Sequence, residues 1–310
     1  MLRCALFLIL CVLCAHVPAP AIAKNVQRAS APGSSALAPA WQSLQVRLAR
    51  DGVSGSAYDA LLQMLPAKPT QSPMGRKMLA LYNKHFFPKP PPPLTEYYKG
   101  VVTEANAKKC RDYLALHREA FVRAEASYHV PPEIAVALLF VETRLGTVLA
   151  DIPENAFYTL ASMAVSRTPQ DISAWLPKMK QSSKHMRWIA QTMPGRSDWA
   201  YKEFRALIVY MVENGVLPDQ LPGSIYGAVG LCQFMPSNIS IYGADGNGDG
   251  RIDLFTIEDA SMSLAKYLAK HGWKADSTRD QQHALLMKYN HSKVYANTIL
   301  ALSDLIKVEE

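Results

Sequence analysis

The chain has 310 residues, 49% of them hydrophobic and 19% charged, with a formal net charge of +7. That is enough apolar side chain to bury a large core, in one large domain or two smaller ones, and it excludes low-complexity disorder for most of the length. The basic residues are scattered along the chain instead of forming the runs that mark nucleic-acid contacts; the charge suits an anionic polymer or an ordinary soluble surface.

Residues 1 to 23 read as a secretory leader. Arg3 gives a short positive start, Leu6 to Leu13 an apolar run too short to span a bilayer, and Ala21-Ile22-Ala23 a cleavage site. Cleavage after Ala23 lowers the charge from +7 to +6 through the loss of Arg3, and removes Cys4, Cys11 and Cys14. Cys110 and Cys232 remain, free to pair in an oxidising compartment or to serve as two buried thiols. From Lys24 to Ala40, Ala, Ser and Pro dominate without an apolar period, which predicts a flexible tether ahead of a domain over 41–310. Trp41, Leu44 and Leu48 then open a helical pattern, followed by an apolar cluster at Tyr58, Leu61, Leu62 and Leu65. Pro88 to Pro93 is a polyproline connector. Beyond Glu104 the pattern predicts helices over 104–127, 131–145, 171–192, 198–214, 257–271, 279–289 and 292–307. No alternating run is long enough for a major sheet and no internal repeat is visible, so the chain reads as mainly α.

One helix stands apart. Pro131 and Pro132 fit a helix first turn, where a missing N–H costs little, and Gly146 is placed to end the helix. Between them Ile134 to Val141 are eight consecutive apolar residues, predicting a helix buried all round, and Glu142 follows directly. A carboxylate there meets the negative end of the helix dipole and apolar neighbours, both of which raise its pKa toward what a general acid needs near neutral pH. The competing reading is a structural ion pair with Arg144 or Arg123.

Three segments carry a resemblance: Val130-Pro131-Pro132-Glu133-Ile134, Val141-Glu142-Thr143-Arg144-Leu145-Gly146, and the eleven residues from Gly227-Ala228-Val229-Gly230-Leu231-Cys232 to Gln233-Phe234-Met235-Pro236-Ser237. In this order they resemble the membrane-bound lytic transglycosylase B family, over roughly Trp41 to Ile306. The resemblance implies a lysozyme-like, mainly α (α+β) catalytic domain and non-hydrolytic cleavage of peptidoglycan. Glu142 would be the lone acid/base. It would protonate the bond between N-acetylmuramic acid and N-acetylglucosamine, then accept the muramyl C6 hydroxyl proton as a 1,6-anhydro ring closes, the substrate acetamido group helping to stabilise the cationic state. Hydrolases that use two carboxylates flank the bond with them; Asp151 and Glu154 follow the helix but no motif ties either to catalysis. Ser224, Gln233, Phe234, Tyr267, Tyr289, Asn290 and Tyr295 match residues lining the family's saccharide cleft; for Tyr267 and Tyr295 a core role stands equally open. The chain departs at Leu145, where the family usually has tryptophan, and over 151–195, where similarity is weak.

Asp245, Asn247, Asp249 and Asp253 stand at positions 1, 3, 5 and 9 of an EF-hand-like pattern, with Gly250 at 6, the Arg251 carbonyl at 7 and Ile252 at 8. Position 12 is Thr256; the family's longer loop implies closure by Asp259, with Glu258 competing. The expectation is a structural Ca²⁺ within 243–259 and no organic cofactor, against an Asp/Gly-rich turn binding no metal. The resemblance also implies peptidoglycan glycan strands as the partner, no nucleic acid, a monomer in the periplasm, and leaves membrane association and contact with other cell-wall enzymes open. A lysozyme-type hydrolase and a non-catalytic wall-binding protein of the same fold are the alternatives.

Overall fold

The computed structural model describes residues 37–90, 96–149 and 153–307. The leader, nearly all of the tether, 91–95 of the connector and Asp151 lie outside them.

Trp41, Leu44 and Leu48 bury one face of α1 (Pro39–Arg50), and Leu61 and Leu62 do the same for α2 (Ser56–Gln63). The third helix, α3 (Ser72–Phe86), seats Met74, Met78 and Tyr82 in the core. The stretch predicted as one helix over 104–127 is two, α4 (Glu104–Leu116) and α5 (Arg118–Tyr128), because His117 leaves helical geometry at φ −114° and ψ 28°. That break turns α5 onto α10 (Ile257–Lys270).

Next come α6 (Pro132–Thr143) and α7 (Ala156–Val165). Asn155 caps α7 by accepting from Tyr158 N–H at 3.0 Å. A 3₁₀ segment over Pro169–Lys178 precedes α8 (Ser183–Asn214), so the helices predicted over 171–192 and 198–214 are divided differently. Pro194 removes one backbone bond inside α8, but Met193 and Ala200 are buried and the Ser197 hydroxyl donates to Ala164 O at 2.6 Å. Packing along α7 therefore carries the helix through its proline. The remaining helices are α9 (Pro236–Tyr242), α10, α11 (Arg279–Tyr289) and α12 (Lys293–Lys307).

The sixth helix is the axis of the C-terminal half. Helices α4, α5, α10 and α12 all pack on it, which is why an element with no polar side along Ile134 to Phe140 is stable. Each of its large aliphatic side chains contributes about 1.5–3 kcal/mol by leaving water. One continuous apolar cluster runs from Trp41 to Ile306. No helix among the described residues is long and apolar enough to cross a membrane.

Two expectations are corrected. The α+β lysozyme-like class fails: the described residues hold no strand, only isolated bridges pairing Asn155 with Pro222, Gly223 with Val229, and Val229 with Phe234. Glycine, proline and tight turns through 222–234 stop these single pairings from propagating into a ladder.

The EF-hand loop fails too. Asp245 accepts backbone N–H groups from Gly248, Asp249 and Gly250, and Asp259 accepts those of Gly246 (2.8 Å) and Asp253 (2.6 Å). Asn247 Oδ1 accepts Asp249 N–H, and Asp249 Oδ1 accepts that of Arg251. Oxygens that would turn inward onto a cation instead hold the loop's own amides. The described residues contain no group of three or more acidic, His or Cys side chains arranged to hold a metal. No calcium-binding site is thus evidenced at Asp245, Asn247, Asp249, Arg251 and Asp259; Asp-Gly alternation serves side-chain-to-backbone turns as well as it serves calcium.

Fully buried Asp259 ties the loop to α10. Asp259→Ala leaves two amides without their acceptor and should destabilise the protein by about 2–4 kcal/mol. Urea unfolding of the variant beside the parent checks this.

Candidate active site

The end of α6 sets the site. The helix stops at Thr143, earlier than Gly146, because Arg144 (φ 51°) and Leu145 (φ 59°) already adopt left-handed geometry ahead of Gly146 (φ 88°). Two non-glycine residues in this region carry strain, of about 1 kcal/mol or more each, and surrounding contacts must hold them. Thr143 supplies the contacts. Its hydroxyl donates to Leu231 O (3.1 Å) and accepts Gly146 N–H (3.1 Å). A Cβ on Gly146 would lie 2.7 Å from the Leu231 side chain, so glycine is needed where this turn meets the 231 loop.

Glu142 therefore occupies the last turn of a buried helix, facing α12. Its Oε1 accepts a 2.6 Å hydrogen bond from the Tyr295 hydroxyl. Burial pushes the carboxyl from its ordinary 4.5 up to about 7, against the opposing effect of that hydrogen bond. Tyr295 is itself raised well above its ordinary range by burial and by the Glu142 charge, so it remains a donor. The ion-pair alternative does not form: the Arg144 guanidinium lies over the Phe140 ring at 4.6 Å, and Arg123 pairs with Glu119.

The wall beside Glu142 is the rolled segment 222–237. Gly230, at φ 76°, lets it pass against Leu254, where a Cβ would meet that residue's carbonyl oxygen at 2.6 Å. Three helices pin the segment: Thr143 of α6 at Leu231, the Tyr289 hydroxyl of α11 at Cys232 O, and buried Glu203 of α8, which accepts both N–H and hydroxyl of Ser237 at 2.9 Å. Cys232 and Cys110 are free and buried, and burial raises both thiols to about 12.

The residues expected to line a cleft divide. Gln233 is half-buried at φ 50°, and its Nε2 donates to Gly230 O at 3.0 Å, leaving Oε1 without a partner among the described residues. The Ser224 hydroxyl accepts Tyr226 and Ala228 N–H groups and so shapes its own turn. Phe234 is 1% exposed and packs among Tyr242, Tyr267 and Tyr289, with no face open to solvent. Tyr267 is buried, stacks on His271 and donates to Lys288 O. Tyr289 lies parallel to Tyr295, ring centres 6.3 Å apart, and Asn290 is exposed just past the end of α11. Asp151 lies outside the described residues, and Glu154 pairs with Arg76 at 2.7 Å.

Tyr98 was missed. Its N–H donates to Thr298 on α12 at 2.9 Å, one turn from Tyr295, its charge would disfavour ionisation of Tyr295, and it is 39% exposed. Exposed Tyr97 precedes it. An aromatic pair just after the polyproline connector was the available signal, and nothing in the periodicity tied it to α12.

The family model for the Transglycosylase SLT domain matches residues 36–282. The chain belongs to the lytic murein transglycosylase family. It is thus a member of a family of enzymes. The membrane-bound lytic murein transglycosylase B of Escherichia coli is 29% identical over 177 residues, which are 57% of this chain and 41% of that relative. The match therefore spans less than half of that transglycosylase. Among solved structures, an Escherichia coli lytic transglycosylase in complex with calcium aligns at TM-score 0.65 and 20% identity, covering 88% of this chain and 94% of that one. The Pseudomonas aeruginosa transglycosylase SltB3 in complex with NAG-anhNAM-pentapeptide aligns at TM-score 0.64 and 17% identity, over 86% and 78%. At such identities the likeness is one of fold.

The raised Glu142 pKa has a stability consequence with a definite sign. A carboxyl raised from 4.5 to about 7 stabilises the fold fully below pH 4.5, and that contribution is lost as pH climbs to about 7. Glu142→Gln should therefore be more stable than the parent at pH 8, by about 3 kcal/mol, with a correspondingly higher Tm, and match it near pH 4. Paired melting curves across this window check it.

Proposed function

We propose that this transglycosylase cleaves the β-1,4 bond between N-acetylmuramic acid and N-acetylglucosamine in peptidoglycan without water, leaving 1,6-anhydro-muramyl ends. The carrying observation is the Glu142 carboxyl, half-buried, raised to about 7 and held by Tyr295. At neutral pH a large fraction of it carries a proton, and the same group is then basic enough to take one back.

Protonated Glu142 donates to the bridging oxygen as the bond from muramyl C1 to that oxygen breaks, and the N-acetylglucosamine leaves with a free 4-hydroxyl. Positive charge develops at C1. The Glu142 carboxylate then removes the proton from the muramyl C6 hydroxyl, and O6 bonds to C1. Atoms balance with no water consumed, and Glu142 ends protonated for the next cycle. Tyr295 is the positioning residue that fixes the carboxyl and favours its ionised form between the two steps. The free Gln233 Oε1 and the exposed Tyr98 and Asn290 supply substrate contacts, whereas Ser224, Phe234, Tyr267 and Tyr289 hold the wall in shape.

A two-carboxylate hydrolase is less well supported, because Glu154 is engaged by Arg76. Support for the anhydro product comes from a relative of the same fold solved with an anhydromuramyl ligand. The calcium in another relative belongs to that protein, and the 245–259 loop, whose side-chain oxygens accept its own amides, shows no site to carry it to. Export through residues 1–23 and residence in the periplasm complete the reading.

Digestion of purified sacculi should yield anhydromuropeptides by mass spectrometry, and Glu142→Gln should cut the rate by at least about a hundredfold. Reducing-end products, or an active Glu142→Gln protein, would overturn the proposal. Tyr295→Phe withdraws a hydrogen bond that lowers the Glu142 pKa, so the alkaline limb of its pH–rate profile should move to higher pH. Tyr98→Ala should raise KM with little change in kcat, which steady-state kinetics on a soluble glycan fragment resolves.

A further inference from the structure

Away from the cleft, two stretches of chain that contain no acidic residue lie against each other. From 60 to 95, between Asp59 and Glu96, there are Lys68, Arg76, Lys77, Lys84 and Lys89; from 172 to 197, between Asp171 and Asp198, there are Lys178, Lys180, Lys184, Arg187 and Arg196. The helix α3 packs on the 3₁₀ segment and on α8, and Lys180 N–H donates to the Tyr82 hydroxyl at 3.0 Å. This packing brings Lys178, Lys180 and Lys184 beside the C-terminal end of α3, while Arg76 pairs with Glu154 and Lys77 lies over Trp199 and Tyr226.

Rings punctuate this basic face. His85 stacks on Trp188 at 5.0 Å, and Phe86 lies edge-on to the same indole at 5.5 Å. Phe87 projects with 48% of its surface exposed. Lysine ammonium groups stand over these and neighbouring rings: Lys178 over Trp175 at 3.9 Å, Lys180 over Phe87 at 5.4 Å and Lys184 over Phe86 at 5.9 Å. All three lysines are exposed at the surface.

We propose that this face docks on an anionic phospholipid bilayer, with Phe87 and Trp188 entering the headgroup zone and Lys178, Lys180 and Lys184 meeting lipid phosphates. The pairing of exposed rings with long-stemmed cations is what an interface that is apolar below and anionic above selects. A neutral sugar surface fits less well: its hydroxyl oxygens can accept from ammonium groups, but it offers no anionic charge to match Lys178, Lys180 and Lys184. Carboxylates of a wall peptide satisfy the lysines but give Phe87 nothing to bury against. The proposal is independent of the chemistry at Glu142.

The test is flotation of the chain, recovered in soluble form after secretion, with vesicles of phosphatidylethanolamine and phosphatidylglycerol and with vesicles of phosphatidylcholine alone. The expected result is binding to the anionic vesicles only, weakened by salt. The double variant Lys180→Glu/Lys184→Glu should lose at least about tenfold of that binding, and Phe87→Ala about three- to tenfold. Both should keep the parent's melting temperature and its rate on a soluble glycan fragment, since these side chains are exposed and lie outside the cleft. Absence of binding, equal binding to neutral vesicles, or parental binding by both variants would overturn the proposal. So would loss of sacculus binding by the variants with vesicle binding intact, which would assign the face to the wall polymer.

Discussion

The carboxyl group of Glu142 is forced to live where ionisation is costly, and much of the molecule is arranged around that constraint. Eight apolar residues in a row can form a stable helix only if other helices close around them, and α4, α5, α10 and α12 do so. The same packing leaves the last turn, at Val141 and Glu142, only partly open to water. Desolvation then leaves a large fraction of Glu142 protonated near neutral pH, and one phenol hydroxyl, from Tyr295, acts in the opposite direction. The acid's strength is set by packing, with no partner cation required.

A second requirement is that something rigid face the carboxyl. The 222–237 segment has no ladder of strand pairing to stiffen it, yet it is fixed from three directions by Thr143, Tyr289 and Glu203. Glycine at 146 and 230 permits the close approaches on which those ties depend. Positive φ at Arg144, Leu145 and Gln233 clusters at this junction, as expected where a fold spends stability to aim side chains. Phe234 and Tyr267 belong to the buried support of this wall.

The gathered charge on the α3 side belongs to a different scale of organisation. Acid-free stretches separated by over seventy residues become one surface only because α3 packs on the 3₁₀ segment and on α8. No local signal in either stretch announces the other. Cation and ring contacts there depend on side chains from both.

Local rules in the sequence made the C-terminal half largely helical and picked out the most buried helix, because an eight-residue apolar run admits few other fates, although they misplaced the breaks at His117 and across 169–214. They also singled out Glu142 as a candidate and, through order and spacing of three segments, pointed to the family. Tertiary structure decided what the sequence left degenerate. Asp-Gly alternation suits calcium or backbone amides equally, and the fold turned Asp245 and Asp259 onto amides. A buried tyrosine on α12 could have been core alone, but helix packing brought Tyr295 within 2.6 Å of Glu142. Likewise only the fold could bring Tyr98 beside α12, or retire Phe234 into the interior. Backbone preference and apolar periodicity act over a few residues and can be read from them; which side chains meet depends on the packing of distant helices, which a single sequence does not encode position by position.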